Sequence, residues 1–402
     1  MAKKLMFPVI IAFVFILANG CKKTEELEGP QIEHGQIVLD SIPASDTTIG
    51  TRAAFVYLPP GYDSQGTVNY PVVYLLHGFG GTYSFWQYYE DIKDIADYLI
   101  STGDIKPMII VMPDGMNQLG GSFYTDSKAN FLGSEIPVFG LFETYIVQDV
   151  VNYIDSHYPT IPDKDHRAII GISMGAYGAM KLGIKHPDIF GIVGAHSGPI
   201  YFDRFIIDGI LRLVRYEWMD STFGGRIPFK PAQYLGPNRP LTTMLIAMAG
   251  AFSPKVDFSS NFDSTKYELI LKDSVFFIMG SPVAVGIKMP IDTSYTPNAV
   301  YDSTWKPNDD PATLFKENLN NLLSNQTKFY IDCGINDELF LTSHTQSFAT
   351  LLDSLNYPSN LYEVHVFRDE PGYPNDLFPA RHGTHLYFRI KKSLEFASRN
   401  FQ

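Results

Sequence analysis

The chain has 402 residues, of which 45% are hydrophobic and 18% charged, and a formal charge of −12. This composition describes a folded, core-rich protein of one large domain with an insertion, or of two domains, and its negative balance disfavours binding to nucleic acid. Two cysteines, Cys21 and Cys333, exclude a disulfide scaffold, and the histidines show no HExxH or Cys/His spacing for a metal.

In chain order, Lys3 and Lys4 precede an apolar run from Phe7 to Leu17 that is too short to span a bilayer stably. Residues 1–20 therefore read as a secretory signal, to be set aside before fold reasoning. The run Leu17-Ala18-Asn19-Gly20-Cys21 resembles a bacterial lipobox. That resemblance implies an exported lipoprotein whose lipidated Cys21 supplies its only contact with a membrane, expected to be the outer one. Residues 21–34 read as a polar tether.

Strands are predicted at 35–41, 51–58, 71–77, 108–113, 168–172, 191–196, 328–333 and 361–367. Several are nearly continuous Val, Ile, Leu, Phe and Tyr, as expected of strands buried on both faces. Helical periodicity covers 85–101, 142–157, 174–186, 312–324, 343–355 and 384–399. This alternation predicts an α/β domain over 35–402, with an eight-stranded, mostly parallel sheet flanked by helices. The first two strands have no helix between them and predict an antiparallel start. Alternation fails over about 201–310, where helical pieces (203–219, 241–249), a proline-rich run (Pro228 to Pro240) and aromatic loops follow one another. The stretch is too long for a plain loop and reads as a cap or lid insertion, or else as a small second domain.

Gly171-Ile172-Ser173-Met174-Gly175 is a G-x-S-x-G motif that follows an apolar strand and opens a helix. A sharp strand-to-helix turn would expose the Ser173 hydroxyl above the sheet edge, at a helix start that favours negative charge. The flanking glycines would let strand and helix approach.

A serine needs a base to take its proton and a carboxylate to hold that base, in the chain order Ser, Asp/Glu, His. Four histidines follow Ser173 with an acid upstream: His344, in a predicted helix; His365, in a strand; and His382 and His385, in the loop entering the last helix. His385, at the helix entry, is favoured over His382. Asp337, in the turn after strand 328–333, is the expected acid, with Asp332 and Glu338 as runners-up. Two amide donors must face the oxyanion. They are assigned to Met174, after the nucleophile, and Phe79, in the glycine-rich loop His77-Gly78-Phe79-Gly80-Gly81, with His77 bracing the loop. Trp86 and Tyr177 are the expected substrate contacts. Cys333, in an apolar strand, reads as a buried, inert thiol.

The runs Tyr57 to Asp63, Tyr74 to Gly81 with Trp86 beyond, Met112 to Gly115, Gly121 to Tyr124, the Ser173 elbow, Gly334 to Asp337 and Gly383-Thr384-His385 together resemble the esterase D/feruloyl esterase family of α/β-hydrolases. The resemblance implies the α/β-hydrolase fold, a triad at Ser173, Asp337 and His385, and no cofactor or metal. It also implies serine esterase activity on carboxylic esters, foremost feruloyl or acetyl esters on polysaccharide. Small-molecule esters, acyl transfer to a sugar alcohol, and a non-catalytic carbohydrate-binding lipoprotein are the competing readings.

Overall fold

The computed structural model describes residues 32–127, 139–220, 225–226, 239–254, 268–270, 277–278, 281–282, 286–292, 294–368 and 381–402. The expected leader, Cys21, most of the expected tether and most of the Pro228–Pro240 run lie outside the described residues.

Eight strands form one sheet: β1 (Gln36–Pro43), β2 (Thr51–Leu58), β3 (Val72–Leu76), β4 (Ile109–Pro113), β5 (Arg167–Ile172), β6 (Ile192–His196), β7 (Lys328–Gly334) and β8 (Tyr362–Phe367). Their order is β1-β2-β4-β3-β5-β6-β7-β8. β2 pairs antiparallel with both β1 and β4, and every other neighbouring pair is parallel. All eight strands fall where the apolar runs predict them. Alternation along the strands divides the core in two. Val72, Tyr74 and Leu76 join one buried cluster, Val73 and Leu75 the other, because successive side chains point to opposite faces.

Helices cover both faces. The predicted helix 85–101 is broken: Phe85–Tyr88 forms one turn, Asp91 turns left-handed (φ 50°), and α1 runs Ile92–Ser101. α1 buries Ile92, Ile95, Ala96 and Leu99, the i, i+3, i+4, i+7 stripe of a surface helix. The last helix, here α4, spans Leu386–Asn400 and shares the α1 face of the sheet. On the opposite face lie α2 (Met174–Lys185) and α3 (Leu341–Ser354).

Apolar residues of the described parts of 201–310, among them Phe202, Val214, Leu245 and Phe252, join the cluster on the α2 face. The helix Pro240–Phe252 buries residues all round, and Trp218 and Trp305 are wholly enclosed. Their indole N–H groups donate to Thr242 (3.0 Å) and Ser253 (2.8 Å). Lys181 of α2 is buried and ion-pairs with Asp309 at 2.6 Å, tying the end of this stretch to the helix that begins at the nucleophile.

Candidate active site

Ser173 stands between β5 and α2 with φ 56° and ψ −116°, a conformation that side chains rarely adopt. Two main-chain bonds hold it there: its amide donates to the His196 carbonyl (2.9 Å), and its carbonyl accepts from Tyr177 (3.0 Å). The flanking glycines are required sterically. A Cβ on Gly175 would lie 2.1 Å from the Leu76 carbonyl oxygen, and one on Gly171 would lie 2.3 Å from the Gly175 backbone.

β5, β6, β7 and β8 are successive and parallel, so their carboxyl ends share one edge of the sheet. Ile172 pairs with His196, His196 with Asp332, and Gly334 with Phe367. Ser173, Asp337 and the loop 381–385 each follow one of these ends. The Asp337 carboxylate is buried and accepts four bonds. His382 Nδ1 lies 2.9 Å from Oδ2 and the Cys333 thiol 3.4 Å from it; the Leu339 and Leu341 amides reach Oδ1 at 2.9 and 3.3 Å. Burial alone would push this carboxyl up. The hydrogen bond and charge of His382, with the Leu341 amide and the Cys333 thiol, hold it below the ordinary carboxylate value. An ionised carboxylate only accepts, so His382 donates from Nδ1, and the lone pair of the neutral ring is on Nε2.

The expectation for the histidine is therefore corrected: the imidazole on Asp337 is His382, not His385. His385 is the left-handed residue (φ 56°) that opens α4, and its carbonyl accepts from the Arg389 amide at 3.0 Å. The His382 amide is held by Glu338 Oε2 (3.0 Å), which accounts for one runner-up acid. The other, Asp332, is fully buried and faces Arg389 and His196. His344 is enclosed in α3, where burial lowers its pKa to about 3, and His365 lies half-buried beside Glu363 in β8.

The loop after β3 lies against the nucleophile: a Cβ on Gly78 would be 3.5 Å from that of Ser173. His77 braces it, as expected. Its Nδ1 donates to the Gly78 carbonyl (2.9 Å), and its Nε2 accepts from the Gly115 amide (2.8 Å). Tyr124 bonds the His77 carbonyl at 3.0 Å. Met174 is the first residue of α2, where an amide has no acceptor within the helix. Gly121 brings together the two residues expected to supply the oxyanion donors, since a Cβ there would meet Met174 Sδ at 2.3 Å and the Phe79 ring at 2.9 Å.

The two expected substrate contacts are corrected as well. Trp86 is fully enclosed in the cluster on the α1 face. Tyr177 is fully enclosed on the other, bonded to the Asp309 carbonyl (2.9 Å) and packed on Phe123, Phe202 and Phe252. Both are core residues.

The family described as "Putative esterase" matches residues 45–385. The chain belongs to this esterase family. Over 180 residues, 44% of the chain, it is 34% identical to an endo-1,4-beta-xylanase/feruloyl esterase of Xylanibacter ruminicola, but the match spans only 23% of that relative. It is 30% identical to an acetyl esterase of Caldicellulosiruptor saccharolyticus over 135 residues, 33% of the chain and 43% of the relative. A solved ferulic acid esterase superposes with a TM-score of 0.55 at 20% identity, covering 92% of this chain and all of that one, and so shares the α/β-hydrolase fold.

Proposed function

We propose that this esterase works through Ser173, His382 and Asp337. His382 Nε2 takes the Ser173 proton as the oxygen attacks the ester carbonyl, and Asp337 orients the ring and stabilises its charged form. The amides of Met174 and Phe79 receive the oxyanion. The alcohol leaves with the proton from His382, and water, deprotonated by the same ring, cleaves the acyl-enzyme. The Nδ1–Asp337 bond of 2.9 Å carries the choice of His382.

The substrate reading is a feruloyl or acetyl ester on polysaccharide. It is supported by the Xylanibacter relative, named an endo-1,4-beta-xylanase/feruloyl esterase, and by the Caldicellulosiruptor relative, named an acetyl esterase. Methyl ferulate, acetylated xylan and short-chain aryl esters, assayed side by side, test it; turnover of the aryl esters alone would reject the polysaccharide reading. Addition of a sugar acceptor separates hydrolysis from acyl transfer. Export as a lipoprotein through Cys21 is proposed on the lipobox-like run alone, and Cys21→Ser should abolish fatty-acid labelling.

The triad has a sharp test. Ser173→Ala and His382→Ala should each lower kcat on p-nitrophenyl acetate by about 10⁴-fold. His385→Ala should stay within about tenfold of the parent, because that ring is not the one on Asp337. The reverse order for the two histidines would overturn the assignment.

A further inference from the structure

Arg389 lies in the second turn of α4 with its side chain fully buried. Its guanidinium is engaged at every nitrogen. Nε and Nη2 donate to Asp332 Oδ1 at 2.8 and 2.6 Å, Nη2 also to Ser197 Oγ at 2.9 Å, and Nη1 to the His382 carbonyl at 3.2 Å. The other Asp332 oxygen lies 2.8 Å from His196 Nδ1, and His196 Nε2 is 2.9 Å from Ser393 Oγ.

The main chain around this pair leads to each member of the triad. The His196 carbonyl holds the Ser173 amide (2.9 Å), and the Asp332 carbonyl holds the Ser197 amide (2.8 Å). Next to Asp332, Cys333 contacts the Asp337 carboxylate at 3.4 Å. A buried ion pair is poor evidence for stability, since desolvation of both charges offsets their attraction. What an arginine offers here is a rigid planar fork that meets one carboxylate and two further acceptors in fixed directions, which a lysine cannot copy.

We propose that Arg389, anchored by Asp332, is a positioning residue that fixes the His382 ring on Asp337 by holding the His382 carbonyl. The inference rests on the triad reading above. Arg389 meets no reacting atom; it acts through the loop 381–385, where Gly383 is exposed and a Cβ added to it would have nothing within 4 Å. A displacement of about 1 Å at a reacting group can cost on the order of 100-fold in rate.

The test is Arg389→Lys, which keeps a cation against Asp332 but loses the arm to His382. Its kcat is referred to the serines that a fluorophosphonate titrates to completion. Expected are a fall in kcat per titrated site of about 10- to 100-fold, KM changed less than about twofold, and fluorophosphonate labelling slowed in proportion. A purely structural role would lower melting temperature and the number of titratable sites while leaving kcat per site at the parent value, and that result would overturn the proposal. If Arg389→Lys does not fold, Asp332→Asn replaces it, with an expected fall of about 3- to 10-fold per site; parent kcat there also overturns the proposal. Methylguanidinium at millimolar concentration should partly restore kcat per site in Arg389→Ala, and no recovery would count against the positioning role. Full turnover in His382→Ala would instead show that the triad reading itself had failed.

Discussion

At the residue scale, their surroundings move two carboxyls in opposite directions. Asp337 is buried yet held ionised by four donors, one of them the His382 ring. Glu90 is the opposite case. Burial pushes its carboxyl up to about 7, with the Arg389 charge opposing and Asp91 adding. The folded chain then binds the Glu90 proton more tightly than the unfolded chain does. Glu90 therefore costs stability increasingly as pH rises from its ordinary value of 4.5 through about 7. Glu90→Gln should raise stability near pH 8.5 by about 1–2 kcal/mol, after allowance for partial solvent contact, and change it little near pH 5. Thermal melts at the two pH values check this; an equal shift at both would refute it.

At the element scale, the elbow and the segment after β4 respond differently to an added methyl. At Gly175 the obstacle is the Leu76 carbonyl, which belongs to a central strand and cannot move aside. Gly175→Ala should cost about 3 kcal/mol in urea unfolding, at the upper end for overpacking. At Gly121 the nearest atom is the flexible end of Met174, followed by the Phe79 ring. Gly121→Ala should leave the urea midpoint nearly unchanged and lower kcat by about tenfold, because the residues displaced carry the two amides proposed to receive the oxyanion. A large midpoint shift with normal kcat would contradict that division. The same scale explains the broken helix at 85–91: apolar periodicity continues through Asp91, but a left-handed residue interrupts the hydrogen-bond ladder.

At the scale of the molecule, the described parts of residues 201–310 join the core through Lys181 and Asp309 as well as through apolar packing. Removing one partner strands a buried charge. Asp309→Leu alone should cost about 3–5 kcal/mol, and adding Lys181→Met should recover most of it. Denaturant melts of the two single variants and the double complete the cycle, and simple additivity would show that the pair is not coupled.

The amino-acid sequence by itself determined the eight strands, their alternation with helices, the elbow at Ser173, the turn that carries Asp337 and the braced loop at His77. Each is a local pattern: a period of two or 3.6, a turn that demands glycine, or a motif between a strand and a helix. Only the tertiary structure decided which of two histidines three residues apart meets Asp337, because a left-handed residue at the helix entry turns the loop and local spacing does not encode that direction. It also decided that Trp86 and Tyr177 are core, since an aromatic beside a motif reads alike whether it faces a ligand or the interior. Arg389 left a faint trace: with Leu386, Ile390, Ser393, Leu394 and Ala397 it occupies the buried stripe of α4, where a charged residue is out of place. Its partner Asp332 lies 57 positions earlier, and only folding brings that carboxylate to it.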